Sequence, residues 1–308
     1  MQVARLDFNP RFPYYSTSLQ LYIGTSGWSY SSWQGIFYPE KLEQKWWLPY
    51  YSQVFNYVEI DSTFYQIPSE KMVKLWNART PQNFRFSAKF PSVITHKKKF
   101  QDCQKELELF YEAMLPLKDK LLCLLIQFPP YFKIKEGLEA LGKYDFYFDE
   151  TFRYAVEVRH SSWFSDLAYN FFKNNNICLT WNQLDMIQTP PIVTSDFVYV
   201  RFIGDRSISE KDFGTILKNR ASEMSKWSDR VKNMQEHERD VNVAMVAANN
   251  HYAGFGPETS NIFREMLGLN RVSWGDDKNI PRMVEFEEMK DHGQRAMKQT
   301  SLSDFISK

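Results

Sequence analysis

The sequence holds little that would cross-link it, carry it into a membrane or draw the whole molecule onto nucleic acid. Its 308 residues include three cysteines, Cys103, Cys123 and Cys178, scattered and without CxxC spacing. That argues against a disulfide framework and a cysteine-based zinc site, and a reducing cytoplasm fits. No stretch approaches the roughly eighteen uncharged residues of a membrane-spanning helix. The opening MQVARLDFNPRF lacks the apolar run of a signal peptide, so no membrane partner is expected. Lys and Arg total 38 against 37 Asp and Glu, a net charge of +1. With no global basic field, any nucleic-acid contact has to be local. Internal repeats and low-complexity tracts are missing too.

What is present is aromatic. Phe, Trp and Tyr make up 17% of the chain, with nine Trp and seventeen Tyr. A core cannot easily hide so many, so some are expected to line a cleft. Short β-rich runs alternate with helix-like spacing. The candidate strands are 21–27, 57–63, 85–90, 121–128, 154–159, 177–182, 197–202 and 241–247. Helical patterns cover 46–55, 69–77, 100–115 and 216–235, and Pro68-Ser69 and Pro257-Glu258 read as helix starts. Alternating strand and helix argues for a parallel sheet with helical crossovers. Eight units over 20–268 match the ~250 residues of an α/β (β/α)8 TIM barrel. An open doubly wound sheet is the runner-up, disfavoured in its dinucleotide-binding form because no glycine-rich loop follows a strand. The expected organisation is an N-terminal extension (1–19), the barrel (20–268), a loop with a surface helix (269–298) and a tail (299–308).

In such a barrel the chemistry sits at the C-terminal strand ends. Those ends carry Trp28, Tyr30 and Trp33; Glu59, Asp61 and Tyr65; Lys89 and His96; Glu157, Arg159, His160 and Trp163; Trp181 and Asn182; Arg201; and Asn249, Asn250, His251 and Tyr252. Side chains two apart on a strand share a face. Glu59 therefore shares one with Asp61, and Glu157 with Arg159, while Val58, Ile60, Val156 and Val158 face the helices.

At these residues the chain resembles a known family. The blocks IGTSGWSYSSWQGIFYP, VEIDSTFYQIP, FRFSAKFPSVITH, AVEVRHSSWF, YVRFIG and NNHYAGFGP are similar, in order, to those of domain of unknown function 72, also called YecE-like. The resemblance spans about 20–268 and implies a TIM barrel without supplying a reaction. Asp61 stands where that family often has Asn, and His251 where an acidic residue is common.

Several chemistries are open. Glu59 and Glu157 suit an acid/base pair, as in glycoside hydrolysis. With Asp61 or Asp185 they also suit Mg²⁺ or Mn²⁺ acting on a phosphodiester. The competing reading is an ion-pair network that fixes the barrel top. Lys89, Arg159 and Arg201 suit an anionic ligand. His96, His160 and His251 are too few for a multi-histidine zinc cluster and better suit proton transfer or hydrogen bonding. Trp28, Tyr30, Trp33, Tyr65, Trp163 and Trp181 would stack on sugars or bases. The run His96-Lys97-Lys98-Lys99 reads as a solvated helix start more than as a backbone-binding patch. No organic cofactor is expected.

The tail Gln299-Thr300-Ser301-Leu302-Ser303-Asp304-Phe305-Ile306 resembles the peptide by which replication and repair proteins dock on the sliding clamp, PCNA. One helical turn puts Leu302, Phe305 and Ile306 on one side, with Gln299 for the groove's edge. An aromatic is usual where Ile306 stands. Together these features point to a DNA-processing enzyme, most simply a metal-dependent nuclease recruited by the clamp. A carbohydrate-active hydrolase and a non-catalytic clamp accessory are the alternatives.

Overall fold

The computed structural model describes residues 19–142, 148–184, 187–204, 206–238 and 240–275. The parallel strands are β1 (Gln20–Ser26), β2 (Tyr57–Ile60), β3 (Arg85–Lys89), β4 (Leu121–Gln127), β5 (Tyr154–Glu157), β6 (Cys178–Leu179), β7 (Trp181–Gln183), β8 (Phe197–Phe202) and β9 (Val243–Ala248). Their order is β6-β5-β4-β3-β2-β1-β9-β8-β7, a nearly closed α/β TIM-like barrel.

Each run expected to be a strand contains one, but β2 ends at Ile60 and β5 at Glu157, so Asp61 and Arg159 lie just past their strands, and one run divides. The run 177–182 is split at Thr180 into β6 and β7. β6 pairs only with β5, through Ala155–Cys178 and Val156–Leu179. β7 pairs only with β8, through Trp181–Val200, Asn182–Arg201 and Gln183–Phe202. Nine strands thus fill eight barrel positions, and the broken one is the seam.

Parity sorts the strands as their sequence implies. Val58, Ile60, Val156 and Val158 pack outward against the helices. Tyr57, Leu125, Ala155, Tyr199, Met245 and Ala247 fill the interior. Two residues further along β2, β5 and β8 come Glu59, Glu157 and Arg201. A polar layer therefore rests on an apolar plug at the C-terminal strand ends.

Helix α1 (Trp47–Val54) follows β1 and α2 (Glu70–Ala78) follows β2. Ser69 caps α2, its hydroxyl accepting from the Met72 amide. Pro257 opens the helix Gly256–Met266. At the opposite end of the barrel Lys120, 3% exposed, donates to the Asn77 carbonyl at 2.6 Å and the Thr80 carbonyl at 2.8 Å. A cation there satisfies carbonyls at the end of α2. Lys120→Met should cost about 1–3 kcal/mol in urea unfolding and leave ligand binding at the mouth unchanged.

Residues 270–275 carry no regular structure, but they are anchored. Trp274 packs on Phe37 at 5.4 Å, Phe255 at 6.0 Å and Phe55 at 6.4 Å. The Gly275 amide donates to the Tyr50 hydroxyl at 3.0 Å. The expected surface helix and the tail with Gln299, Leu302, Phe305 and Ile306 lie outside the described residues, as does Asp185.

Candidate functional site

Arg201 organises the barrel mouth. It is 1% exposed and comes from β8. Its Nε and Nη2 donate to the two oxygens of Glu59, both at 2.7 Å, a bidentate pair. Its Nη1 meets Glu157. Glu59 also accepts from the Ser26 and Tyr199 hydroxyls. Glu157 accepts from Arg159 Nε at 2.6 Å. Two fully buried carboxylates are thus matched by two guanidiniums, which is what burial of charge demands.

This pairing is the ion-pair network named above among the alternatives for these acids. In it Arg201 engages both glutamates. Among the described residues no group of three or more His, Cys, Asp and Glu is gathered as a metal would require. Burial pushes the Glu59 carboxyl up, but the Arg201 charge and hydrogen bonds outweigh it and hold the group at about 2.

Two further ionisable groups from adjacent strands remain. Ile60 of β2 registers with Ala88 of β3, so Asp61 and Lys89 follow as the next residues of each chain. The Thr63 hydroxyl donates to the Lys89 carbonyl at 2.7 Å and locks the two segments together. Lys89 Nζ donates to Gln127 Oε1 at 3.0 Å, which also accepts from Arg159 Nη2 at 3.0 Å. Tyr30 donates to the Ser26 carbonyl at 2.8 Å, and its hydroxyl is 3.4 Å from Asp61. Gly27, at φ +81°, makes room: a Cβ there would meet the Tyr30 hydroxyl at 2.7 Å and Asp61 at 3.0 Å.

Both groups are driven toward their neutral forms. Burial, then the Arg201 charge, lowers Lys89 to about 7 against the pull of Glu59 and Asp61. Burial, then the Glu59 charge, raises Asp61. His96, beside them, is lowered to about 4 by burial and by the Lys89 and Arg159 charges. Such opposed displacement of an acid and a base in one cleft is a mark of functional sites.

The cleft above this layer measures about 270 Å³. Ser26, Asp61, Lys89, Gln127, Arg159 and Arg201 form its floor, and Tyr30, Tyr65, Arg206, Glu210, Phe213, Asn249 and His251 its walls. The volume falls just below the usual range of ligand pockets, about 300 to 1,000 Å³.

Several expected ligand-binding residues are elsewhere. Trp33, Trp163, Trp181, Asn182, Asn250 and Tyr252 are at most 2% exposed. Trp163 stacks on Phe128 and Phe172, and its indole N–H donates to the Phe132 carbonyl at 2.9 Å. Trp181 stacks on Trp227, and Trp33 packs among Phe37, Tyr38 and Phe255. Trp28 lies edge-on to Trp76 at 5.7 Å. The expected aromatic wall is therefore core packing, because large rings at strand ends bury more area under the loops than in a cleft. Tyr30 and Tyr65 alone of that group line the mouth. Asn182 accepts from Thr180, Asn250 from the Gly256 amide, and Tyr252 donates to Glu223. His160 Nδ1 accepts from the Ser162 amide at 3.1 Å, capping a turn outside the cleft lining. In the basic run, Lys98 pairs with Glu106 and Lys99 lies over Tyr131.

Sequence reasoning missed Ser26, Gln127, Tyr199, Arg206, Glu210 and Phe213. Gln127 was findable: it shares the parity of Leu125, and it registers with Glu157. Arg206, Glu210 and Phe213 come from the loop after β8, where nothing in the pattern marks a wall.

A family model described as "Protein of unknown function DUF72" matches residues 22–284. The UPF0759 protein YecE of Escherichia coli is 33% identical over 147 residues, 47% of this chain and 50% of that protein. The chain thus spans half the length of that relative. The UPF0759 protein YunF of Bacillus subtilis is 24% identical over 275 residues, 81% of this chain and 95% of that protein. A crystal structure of a DUF72 family protein from Thermotoga maritima superposes with a TM-score of 0.67 at 29% identity, covering 81% of this chain and 99% of that one. A second, from Enterococcus faecalis, gives 0.66 at 25% identity, covering 82% and 100%.

Proposed function

The chain belongs to the DUF72 family, described as being of unknown function, and from that premise we propose that the barrel mouth is an active site for a compact anionic substrate, a phosphate ester or carboxylate. Asp61 and Lys89 perform the proton transfer, Arg159 and Arg206 hold the anion, and Tyr30 and Tyr65 border the rest of the substrate. The observation that carries this reading is the Lys89–Asp61 pair: a base near neutrality and an acid with raised affinity for its proton, side by side in one cleft. The glutamates serve as scaffold. The cleft's volume suits a small metabolite or the phosphorylated end of a longer chain.

The test is thermal unfolding with inorganic phosphate and with small phosphate esters and carboxylates. A bound ligand at a hundredfold excess over Kd stabilises by about 2.7 kcal/mol. The wild type should shift with at least one of these, and Arg159→Met should lose most of the shift. No shift with any of them, or an equal shift in Arg159→Met, overturns the reading.

A second reading places the protein on DNA. It is carried by the sequence pattern of Gln299, Leu302, Phe305 and Ile306, and it makes the mouth a nuclease recruited by the sliding clamp. A titration of the clamp with full-length protein and with a version ending at Lys298 tests recruitment: binding that survives the truncation, or is missing from both, removes the DNA context. Labelled single- and double-stranded DNA with Mg²⁺ or Mn²⁺ tests cleavage, which Glu157→Gln should abolish. Clamp binding without turnover would leave a clamp accessory. A carbohydrate-active hydrolase would use Glu59 and Glu157 as its carboxylate pair, and turnover of a glycoside substrate panel separates it from the other readings.

A further inference from the structure

Among the cations on the cleft floor, Lys89 has the fewest hydrogen bonds. Glu59 and Glu157 are already neutralised by Arg201 and Arg159. Among the described residues Lys89 forms one hydrogen bond, to Gln127, and it rests over the Phe64 ring at 4.4 Å. It is 8% exposed, and it lines the cavity beside Asp61. The ammonium offsets part of the Glu59 and Asp61 charge but makes no direct ion pair with either among the described residues, and an amine so placed at the base of a cleft is available for chemistry.

We propose that Lys89 is the covalent nucleophile of this site, forming an imine with a compact aldehyde or ketone that also bears a phosphate or carboxylate. This rests on the anion-binding reading above and names its substrate class. The Lys89 Nζ lone pair forms the Nζ–C bond as the carbonyl π pair moves onto oxygen, which takes a proton from Asp61. The nitrogen gives a proton back to Asp61, yielding a neutral carbinolamine. Asp61 then protonates the hydroxyl, the C–O bond breaks, and water leaves. The nitrogen's second proton returns to Asp61 as the neutral imine forms. The net change is amine plus carbonyl to imine plus water, with no oxidation or reduction. Arg159 and Arg206 hold the anion and place the carbonyl over Lys89.

The groups that face Lys89 support this role. Glu59, Asp61 and the Phe64 ring favour the ammonium; burial, Arg201 and Arg159 oppose it and prevail. His96, held neutral, adds no charge. An attacking amine near neutrality and an acid that keeps its proton are the two states imine formation needs.

The experiment is reductive trapping. The protein is incubated at pH 7 with glyoxylate, pyruvate, glyceraldehyde 3-phosphate or dihydroxyacetone phosphate and sodium cyanoborohydride, then mapped by mass spectrometry. At least one probe should give a single adduct on Lys89. Lys89→Arg should lose it, and Asp61→Asn should form it about a hundredfold more slowly. Competitive labelling of all lysines across pH, which needs no substrate, should find Lys89 half-reactive near pH 7 while surface lysines titrate above about pH 9. Adducts confined to surface lysines, equal trapping in Lys89→Arg, or a Lys89 less reactive at pH 7 than surface lysines overturns the inference. Phosphate-dependent stabilisation with none of this trapping would refute the imine and keep the anion site. Loss of both would refute both.

Discussion

Arg201→Met should cost about 3–5 kcal/mol of folding stability, the largest loss expected from any single replacement at the mouth. The variant keeps most of the volume and removes the cation that serves both Glu59 and Glu157. A buried charge without a partner is far more costly than a buried pair is beneficial. The pH dependence should change sign as well. In the wild type, Glu59 is held at about 2 against an ordinary 4.5. A lowered folded-state value means stability that is fully present above about pH 4.5 and lost as pH falls through about 2, worth about 3 kcal/mol at 1.36 kcal/mol per unit. Without Arg201, burial dominates and the carboxyls bind protons more tightly folded than unfolded. The variant should then be most stable near pH 4 and weaken toward pH 7. Urea midpoints from pH 3 to 8 check both points. A loss under about 1 kcal/mol, or an unchanged slope, would mean the network is not what holds the barrel top.

Lys89→Met should do the opposite and stabilise the protein while removing its chemistry. Lys89 is lowered from 10.5 to about 7. Below pH 7 both states are charged, and the folded state carries the whole cost of the displaced amine. Between pH 7 and 10.5 only the unfolded state is protonated, so the cost shrinks as pH rises, and above 10.5 it is gone. Methionine keeps the aliphatic stem and removes the charge. The gain should be about 2 kcal/mol or more below pH 7 and fade by pH 10.5. Destabilisation at pH 6 would show that Lys89 is a structural cation satisfied by Glu59 and Asp61.

Much of the architecture was legible in the chain because periodicity reports burial directly. Alternation around Glu59 and Glu157 placed Val58, Ile60, Val156 and Val158 outward, and the structure has them there. The strand broken at Thr180 was not legible, since ICLTWN reads as one continuous run. The site was legible only as a set of strand-end residues. Which acid meets which base depends on register and side-chain reach between strands far apart in sequence, and Arg201 reaches Glu59 from 142 residues away. The tryptophans misled because composition counts rings without saying which side of a strand end they occupy. Trp274 shows the same limit, an apolar anchor within an otherwise polar stretch.

The seam at Thr180 bears on how the molecule would come apart. The outer packing is divided at the same place. One cluster runs from Trp33 through Leu179 with Phe255, and the other gathers Ile23 with Trp181 through Phe263. Two backbone registers join β5 to β6, and among the described residues none joins β6 to the β8 strand it touches. A cooperative unit ends where few contacts cross. Amide hydrogens at 178–183 should therefore exchange before those of β1 and β9, which share six registers. Asn182 and Arg201 register across β7 and β8 on the far side of that line, while Glu157 stands on the near side. The Glu157–Arg201 contact crosses that line and ties the two sides of the barrel mouth together.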